Sequence, residues 1–262
     1  MDCSEKKVKC DTERRKHTMG KREDNIFGTP AWEAFEADFR VLDEEIQKIQ
    51  GPSIPSDAIA VKNTPVDLLR NSMQTLLRLD IDKSGSMQGF NNAMRKALEL
   101  VKESIVTSEE VCRIQIAKTL FSNMVTPEGY TDVEKFDTSY TAGNGSTKLY
   151  DSIIDSERRI NEYENDLKKY GVIVKKILCI LSDGLDNDSI SSFDDAKASI
   201  ERMKKNDVTV CFIAFGSDDC KKLAEQLGVV NIIHTDATVH ELHKIMKFVS
   251  LSTIQISQGT KG

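Results

Sequence analysis

From about residue 72 onward, short apolar runs alternate with amphipathic stretches. Residues 76–82, 111–121, 177–181, 208–215 and 229–233 read as strands, rich in Leu, Ile, Val and Phe. Residues 91–102, 149–170, 194–204, 220–227 and 239–251 carry their apolar positions at helical spacing. The runs ILCIL and VTVCFIAF are apolar almost throughout, as a parallel strand must be when helices cover both faces of its sheet. An edge strand is expected near residues 133–140. Repeated strand–helix units predict an α/β fold with an open, doubly wound, mostly parallel sheet.

The first 65 residues follow a different pattern. Residues 1–28 mix acids and bases with few apolar side chains, so they predict a disordered charged arm. Over residues 29–65 the pattern predicts an amphipathic helix and a linker. Thr29 and Pro30 supply a cap and a first-turn proline. Trp32, Phe35, Phe39, Leu42, Ile46 and Ile49 form one stripe, and Gly51-Pro52 closes it. Residues 66–262 then form the main domain.

Composition narrows the class. Hydrophobic residues make up 39% and charged residues 30%, enough apolar surface for a folded core. The 36 basic and 42 acidic residues give a net charge of −6, a poor match for nucleic acid but suited to a bound cation. The longest uncharged apolar stretch, residues 208–216, is far below the roughly 20 residues needed to span a bilayer, so no membrane segment is expected. No signal-peptide pattern opens the chain. The 6 cysteines form no regular framework; Cys112, Cys179 and Cys211 fall in apolar runs read as buried strands. A reduced, cytoplasmic protein is expected.

In such a sheet, ligands bind at the loops that follow the carboxyl ends of the strands. The first strand ends Asp80-Ile81-Asp82 and turns through Lys83-Ser84-Gly85-Ser86. The ILCIL strand ends Ser182-Asp183-Gly184, followed by Asp186 and Asp188. A third loop, Gly143 to Thr147, opens the long helix at Lys148-Leu149-Tyr150-Asp151. Aspartates and hydroxyls of this kind are hard oxygen donors, suited to Mg²⁺, with Mn²⁺ or Ca²⁺ as alternatives. Two Asp and three hydroxyls leave a dication incompletely neutralised, so it retains affinity for an anionic oxygen from outside.

Together, Asp82-x-Ser84-x-Ser86, Thr147-x-Leu149-Tyr150-Asp151 and Ser182-Asp183-Gly184 resemble the three parts of a metal-ion-dependent adhesion site, as found in von Willebrand factor type A (vWA) domains. The resemblance covers about residues 72–255, with the parts in the expected order. It implies a Rossmann-like α/β fold with one antiparallel edge strand and a divalent cation at the top of the sheet. It also implies direct contacts from Ser84 and Ser86, state-dependent contacts from Thr147 and Asp183, and contact mainly through water from Asp82. The intracellular members of that family imply a non-enzymatic module that binds an acidic Glu or Asp side chain of a partner protein through the metal. The sequence does not specify an oligomeric state.

One feature departs from the family pattern. Arg78 and Asp80 share the face of Asp82, where an apolar strand is expected. One account is a local ion pair partly open to solvent. The other places Asp80 behind the metal ligands as a supporting group, with Asp186 as a second. Two further functional readings stand beside the adhesion site. Asp80-Ile81-Asp82 also resembles the haloacid dehalogenase phosphatases, in which Asp80 would be the nucleophile, Asp82 the acid/base, and Asp183 with Asp186 or Asp188 would hold Mg²⁺. A scaffold with a structural metal would instead make its contacts through the stripe over residues 30–50.

Overall fold

The computed structural model describes residues 73–259, apart from 217 and 236–238. The charged arm, the Trp32 stripe and the linker expected over residues 1–65 lie outside the described residues. In chain order the strands are β1 (Met73–Asp82), β2 (Ile114–Phe121), β3 (Val125–Pro127), β4 (Thr131–Asp132), β5 (Ile173–Ser182), β6 (Val208–Phe215) and β7 (Asn231–Thr235). The helices are α1 (Asn91–Val106), α2 (Leu149–Lys168), α3 (Phe193–Lys205), α4 (Asp218–Gln226) and α5 (Val239–Gln258).

The strands form a 7-stranded sheet in the order β3-β2-β1-β5-β6-β7, with β4 also paired to β2. β1, β2, β5, β6 and β7 are parallel, and β3 and β4 run antiparallel to β2. The chain winds from β1 outward to β2, then returns to the other side of β1 and continues through β5 to β7. The order therefore reverses between β1 and β5, the position where doubly wound sheets open a crevice for a ligand.

Two apolar cores explain the near-continuous hydrophobicity of the strands. On one face, Leu77, Leu79 and Ile81 of β1 pack with Ala93, Met94, Ala97, Leu98 and Val101 of α1 and with Ile245, Met246 and Val249 of α5. On the other, Leu178, Ile180, Val210 and Phe212 pack with Leu149 and Ile153 of α2, Ile200 and Met203 of α3, and Leu223 of α4. Capping supports the second face locally. Ser192 and Asp195 form a reciprocal capping box at the start of α3.

Tertiary pairing lengthens several elements beyond their apolar runs and moves two others. β1 and β5 begin at Met73 and Ile173, because each strand finds ladder partners well before its hydrophobic centre. The expected strand over 111–121 starts only at Ile114; Val111–Arg113 is a 3-10 turn, so Cys112 sits outside the strand and is only partly buried. The edge strand expected near 133–140 is absent from those residues. The antiparallel edge is made instead by β3 and β4, and Val133–Lys135 is a 3-10 turn. The segment after it is held by side chains rather than by a ladder. Lys118, fully buried on β2, donates to the carbonyls of Asp137 (2.7 Å) and Ser139 (2.8 Å) and to the Asp137 carboxylate (3.0 Å).

Candidate metal centre

The register of the two central strands assembles the site. Ile81 lies opposite Leu181, so Asp82 and Ser182 end β1 and β5 side by side. The Ser182 hydroxyl donates to Asp82 Oδ2 at 2.6 Å, and the Ser84 amide donates to Oδ1 at 2.8 Å. Both carboxylate oxygens of Asp82 are thereby oriented. The next turn brings Ser84 Oγ to 3.1 Å from Ser86 Oγ, and Ser86 Oγ donates to Asp183 Oδ1 at 2.7 Å. Asp82, Ser84, Ser86 and Asp183 thus form one continuous chain of polar contacts across the β1 and β5 loops.

The third loop closes against these two through its backbone. Gly85 N donates to Gly145 O (3.3 Å), Gly143 N to Lys83 O (3.0 Å), and Lys148 N to Ser122 O (3.0 Å). Thr147 is buried, with its amide donating to Asn187 Oδ1 at 2.8 Å and its carbonyl accepting from Asn187 N at 3.1 Å. Its hydroxyl lies 3.9 Å from where a Gly184 Cβ would stand, an ordinary van der Waals separation that places the two loops side by side. Asp82, Ser84, Ser86 and Asp183 are thus joined by hydrogen bonds at the switch point of the sheet, and Thr147 lies in the neighbouring loop beside Gly184.

Burial shapes the charge of the two acids. Desolvation raises the Asp82 carboxyl above the ordinary aspartate value, and its bonds to Ser182 and Ser84 pull it back. Burial likewise raises Asp183, against the pull of Ser86. Beneath this pair Cys220 is fully buried, with Sγ at 3.5 Å from Ser182 O and 3.6 Å from Gly184 O. Desolvation, Asp183 and Asp82 push its thiol up to about 12. Two raised carboxyls and a set of neutral hydroxyls form an all-oxygen donor group that fits a hard divalent cation. No group of three or more His, Cys, Asp or Glu side chains able to hold a metal occurs among the described residues, so the donor set here depends on hydroxyls.

Arg78 and Asp80 are not open to solvent. Both are fully buried between β1 and α2, with Arg78 Nε 3.7 Å from Asp80 Oδ1. The reason is a ready-made polar lining. Asp80 accepts from Ser152 (3.0 Å) and Ser156 (2.7 Å) on α2. Arg78 donates to Ser156 Oγ (2.9 Å) and Thr119 Oγ1 (2.6 Å) and lies over the Tyr130 ring. Asp80 makes no hydrogen bond to Asp82, Ser84, Ser86, Thr147 or Asp183; it ties β1 to the helix that Thr147 introduces. Asp186 plays a similar geometric part. Its Oδ1 accepts from the Tyr150 amide (3.2 Å) in the first turn of α2 and from the Ser189 hydroxyl (2.5 Å). Asp151, in the first turn of α2, also accepts from the amides of Ile190 (3.0 Å) and Ser191 (2.9 Å).

Ser182 was read from the sequence as part of its motif, without the role of orienting Asp82 that the structure gives it. Two supporting residues were not singled out from the sequence. Tyr140, whose phenol donates to Asp82 O at 2.6 Å, and Asn187, which brackets Thr147, left no local signal.

No family model and no curated protein matches this sequence. Solved structures do match its shape. The pilus adhesin SpaC from Lactobacillus rhamnosus GG aligns with a TM-score of 0.58 at 12% identity, over 71% of this chain and 31% of that one. Proximal thread matrix protein 1 from the mussel byssus, in a structure with a zinc-occupied MIDAS motif, aligns at 0.52 and 19% identity, over 68% and 48%. The chain thus spans less than half the length of these structural relatives. The likeness establishes the fold: a Rossmann-like, mostly parallel α/β sheet flanked by helices. Among the described residues, no helix is long and apolar enough to cross a membrane.

Proposed function

We propose that this chain is a metal-dependent protein-binding module. A divalent cation held by Asp82, Ser84, Ser86, Thr147 and Asp183 would accept a Glu or Asp carboxylate from a partner protein. The observation that carries this reading is the chain of contacts Ser84–Ser86–Asp183, with Asp82 oriented beside it, at the switch point of a vWA-type sheet. When bound, the cation would supply an electrophilic point of attachment for an external anionic oxygen. The protein's own residues orient it: Ser182 and the Ser84 amide fix Asp82, and Asn187 fixes Thr147. In this reading Asp80 and Asp186 act as positioning residues, one holding α2 to β1 and the other holding α2 to the loop after β5. Mg²⁺ is the proposed ion, with Mn²⁺ and Ca²⁺ as alternatives; the zinc-occupied site of the byssus protein makes Zn²⁺ a fourth ion to test.

The phosphatase reading is not supported. A nucleophile must reach its substrate, and Asp80 is sealed behind Ser152, Ser156 and Arg78. The scaffold reading rests on residues 30–50, outside the described residues.

Calorimetric titration of the full chain with each ion, repeated with Asp82→Ala and Asp183→Ala, tests the centre. Pull-down from host lysate in Mg²⁺ or EDTA then tests the bridge. Proteins lost both with EDTA and with Asp82→Ala are expected, and an unchanged set would refute the mechanism.

A further inference from the structure

We infer that Asp151 is a positioning residue of the metal centre proposed above, on which this reading rests: it fixes Thr147 relative to Asp183 by clasping the start of α2 to the loop after β5. Asp151 belongs to the Thr147-x-Leu149-Tyr150-Asp151 motif, yet it is not one of the five proposed metal contacts. Its hydrogen bonds show another use. α2 begins without a cap of its own. Lys148 stands at the N-cap position and its side chain makes no capping bond, whereas the first-turn amides of a helix need acceptors from outside it. The loop after β5 supplies them. The Tyr150 amide donates to Asp186 Oδ1 at 3.2 Å, and the Asp151 amide donates to Ser189 Oγ at 3.1 Å. The exchange is reciprocal. Asp151 Oδ2 accepts from the Ile190 amide at 3.0 Å and Oδ1 from the Ser191 amide at 2.9 Å, so one carboxylate holds two successive amides of the loop. The partners in these bonds lie 36 to 40 residues apart, so neither segment can form the clasp alone.

Two of the five proposed metal contacts sit on the segments joined here. Thr147 precedes α2, and Asp183 opens the loop. Among the described residues these two share no hydrogen bond: Thr147 is tied to Asn187, and Asp183 to Ser86. Their spacing therefore depends on what holds α2 to the loop. Lys148 draws the same loop in, with Nζ 2.5 Å from Asp188 O and 3.6 Å from Asp151 Oδ2, and Ser146 donates to Asp188 Oδ2 at 2.7 Å. Asp186 and Asp151 grip from opposite sides, one from the loop onto the helix and the other from the helix onto the loop. Both amides need acceptor oxygens at Asp151; asparagine keeps one and alanine none. A clasp that favours the bound metal must be favoured by it in return, by the same factor.

The test is calorimetric titration of the full chain with Mg²⁺ alone. Asp151→Ala should bind Mg²⁺ about fivefold more weakly than wild type, and Asp151→Asn to an intermediate degree. Asp151→Ala/Asp186→Ala should lose less than the product of the two single losses, because both side chains serve one clasp. Glu157→Ala breaks the contacts of α2 with Ser199 and Arg202 on α3; it should lower Tm and leave Mg²⁺ affinity unchanged, which separates positioning from stability. In wild type, with no variant needed, saturating Mg²⁺ should slow hydrogen exchange at the Ile190 and Ser191 amides about fivefold. Unchanged affinity in Asp151→Ala, an equal loss in Glu157→Ala, or exchange at those amides that Mg²⁺ does not slow would overturn this inference and leave the metal centre standing. Absence of Mg²⁺ binding by the wild-type chain would overturn both.

Discussion

Replacing Arg78 by Met isolates the buried ion pair behind the site. The guanidinium donates to Ser156, Thr119 and the Glu128 carbonyl and lies 3.7 Å from Asp80 Oδ1, with both residues fully buried. Met fills much of the volume but leaves the Asp80 charge with the hydroxyls of Ser152, Ser156 and Thr119 and no counter-charge in contact. Removing one partner of a buried pair costs about 3–5 kcal/mol. For a domain of this size that corresponds to roughly 6–20 °C in Tm. Arg78→Met/Asp80→Leu, which removes both charges, should recover more than about 2 kcal/mol relative to the sum of the single substitutions. The penalty should also depend on pH. Burial raises the Asp80 carboxyl above its unfolded value, and Arg78 opposes that rise. Without Arg78 the folded-state value rises further, so the penalty is fully present above it and fades as Asp80 is protonated in both states. Urea unfolding of wild type and variants, followed by circular dichroism at pH 7.5 and at about pH 4, measures both effects. A stability loss under about 1 kcal/mol, or a penalty equal at the two pH values, would show that the pair is not a desolvated charge pair.

Three further outcomes follow from single contacts. Tyr140→Phe removes the phenol that donates to Asp82 O and should cost about 1 kcal/mol, with weaker Mg²⁺ binding by calorimetry; unchanged affinity would separate Tyr140 from the site. Asp137 is held down to about 2 by Ser139 and Lys118, so its contribution is present above about pH 4 and is lost as pH falls toward 2. Because its carboxylate is more than half exposed, Asp137→Asn should cost under about 1 kcal/mol at pH 7 and nothing near pH 2, read from thermal melts. Ser192→Ala breaks the capping box of α3 and should lower stability by about 1 kcal/mol without changing metal affinity.

The loop positions of Asp82, Ser84, Ser86, Thr147 and Asp183 were legible because each lies near where an apolar strand stops or a helix starts, and such boundaries are local features of the chain. Strand Val208–Phe215 could be read to the residue for the same reason: eight consecutive apolar or β-branched positions admit no other boundary. The edge was misplaced because β3 and β4 are too short to leave a pattern, and because residues 133–140 owe their placement to Lys118, a buried cation that no periodicity reports. Cys112 was read into a strand because Val111 and Cys112, in a 3-10 turn, run with one intervening Arg113 into the apolar strand that follows.

The sequence alone thus determined the layered α/β fold and the chemistry of the donor set, since hydrophobic period and residue type are carried by neighbours along the chain. Tertiary structure alone decided the state of Arg78 and Asp80. By period they lie on one face with Asp82, but whether that face meets water depends on Ser152 and Ser156, more than seventy residues away. The same holds for the loop after β5: the fold turns Asp186 onto the Tyr150 amide and the Ser189 hydroxyl and leaves Leu185, Asp188 and Ile190 exposed. Partners distant in the chain decide which side chains of that loop are held.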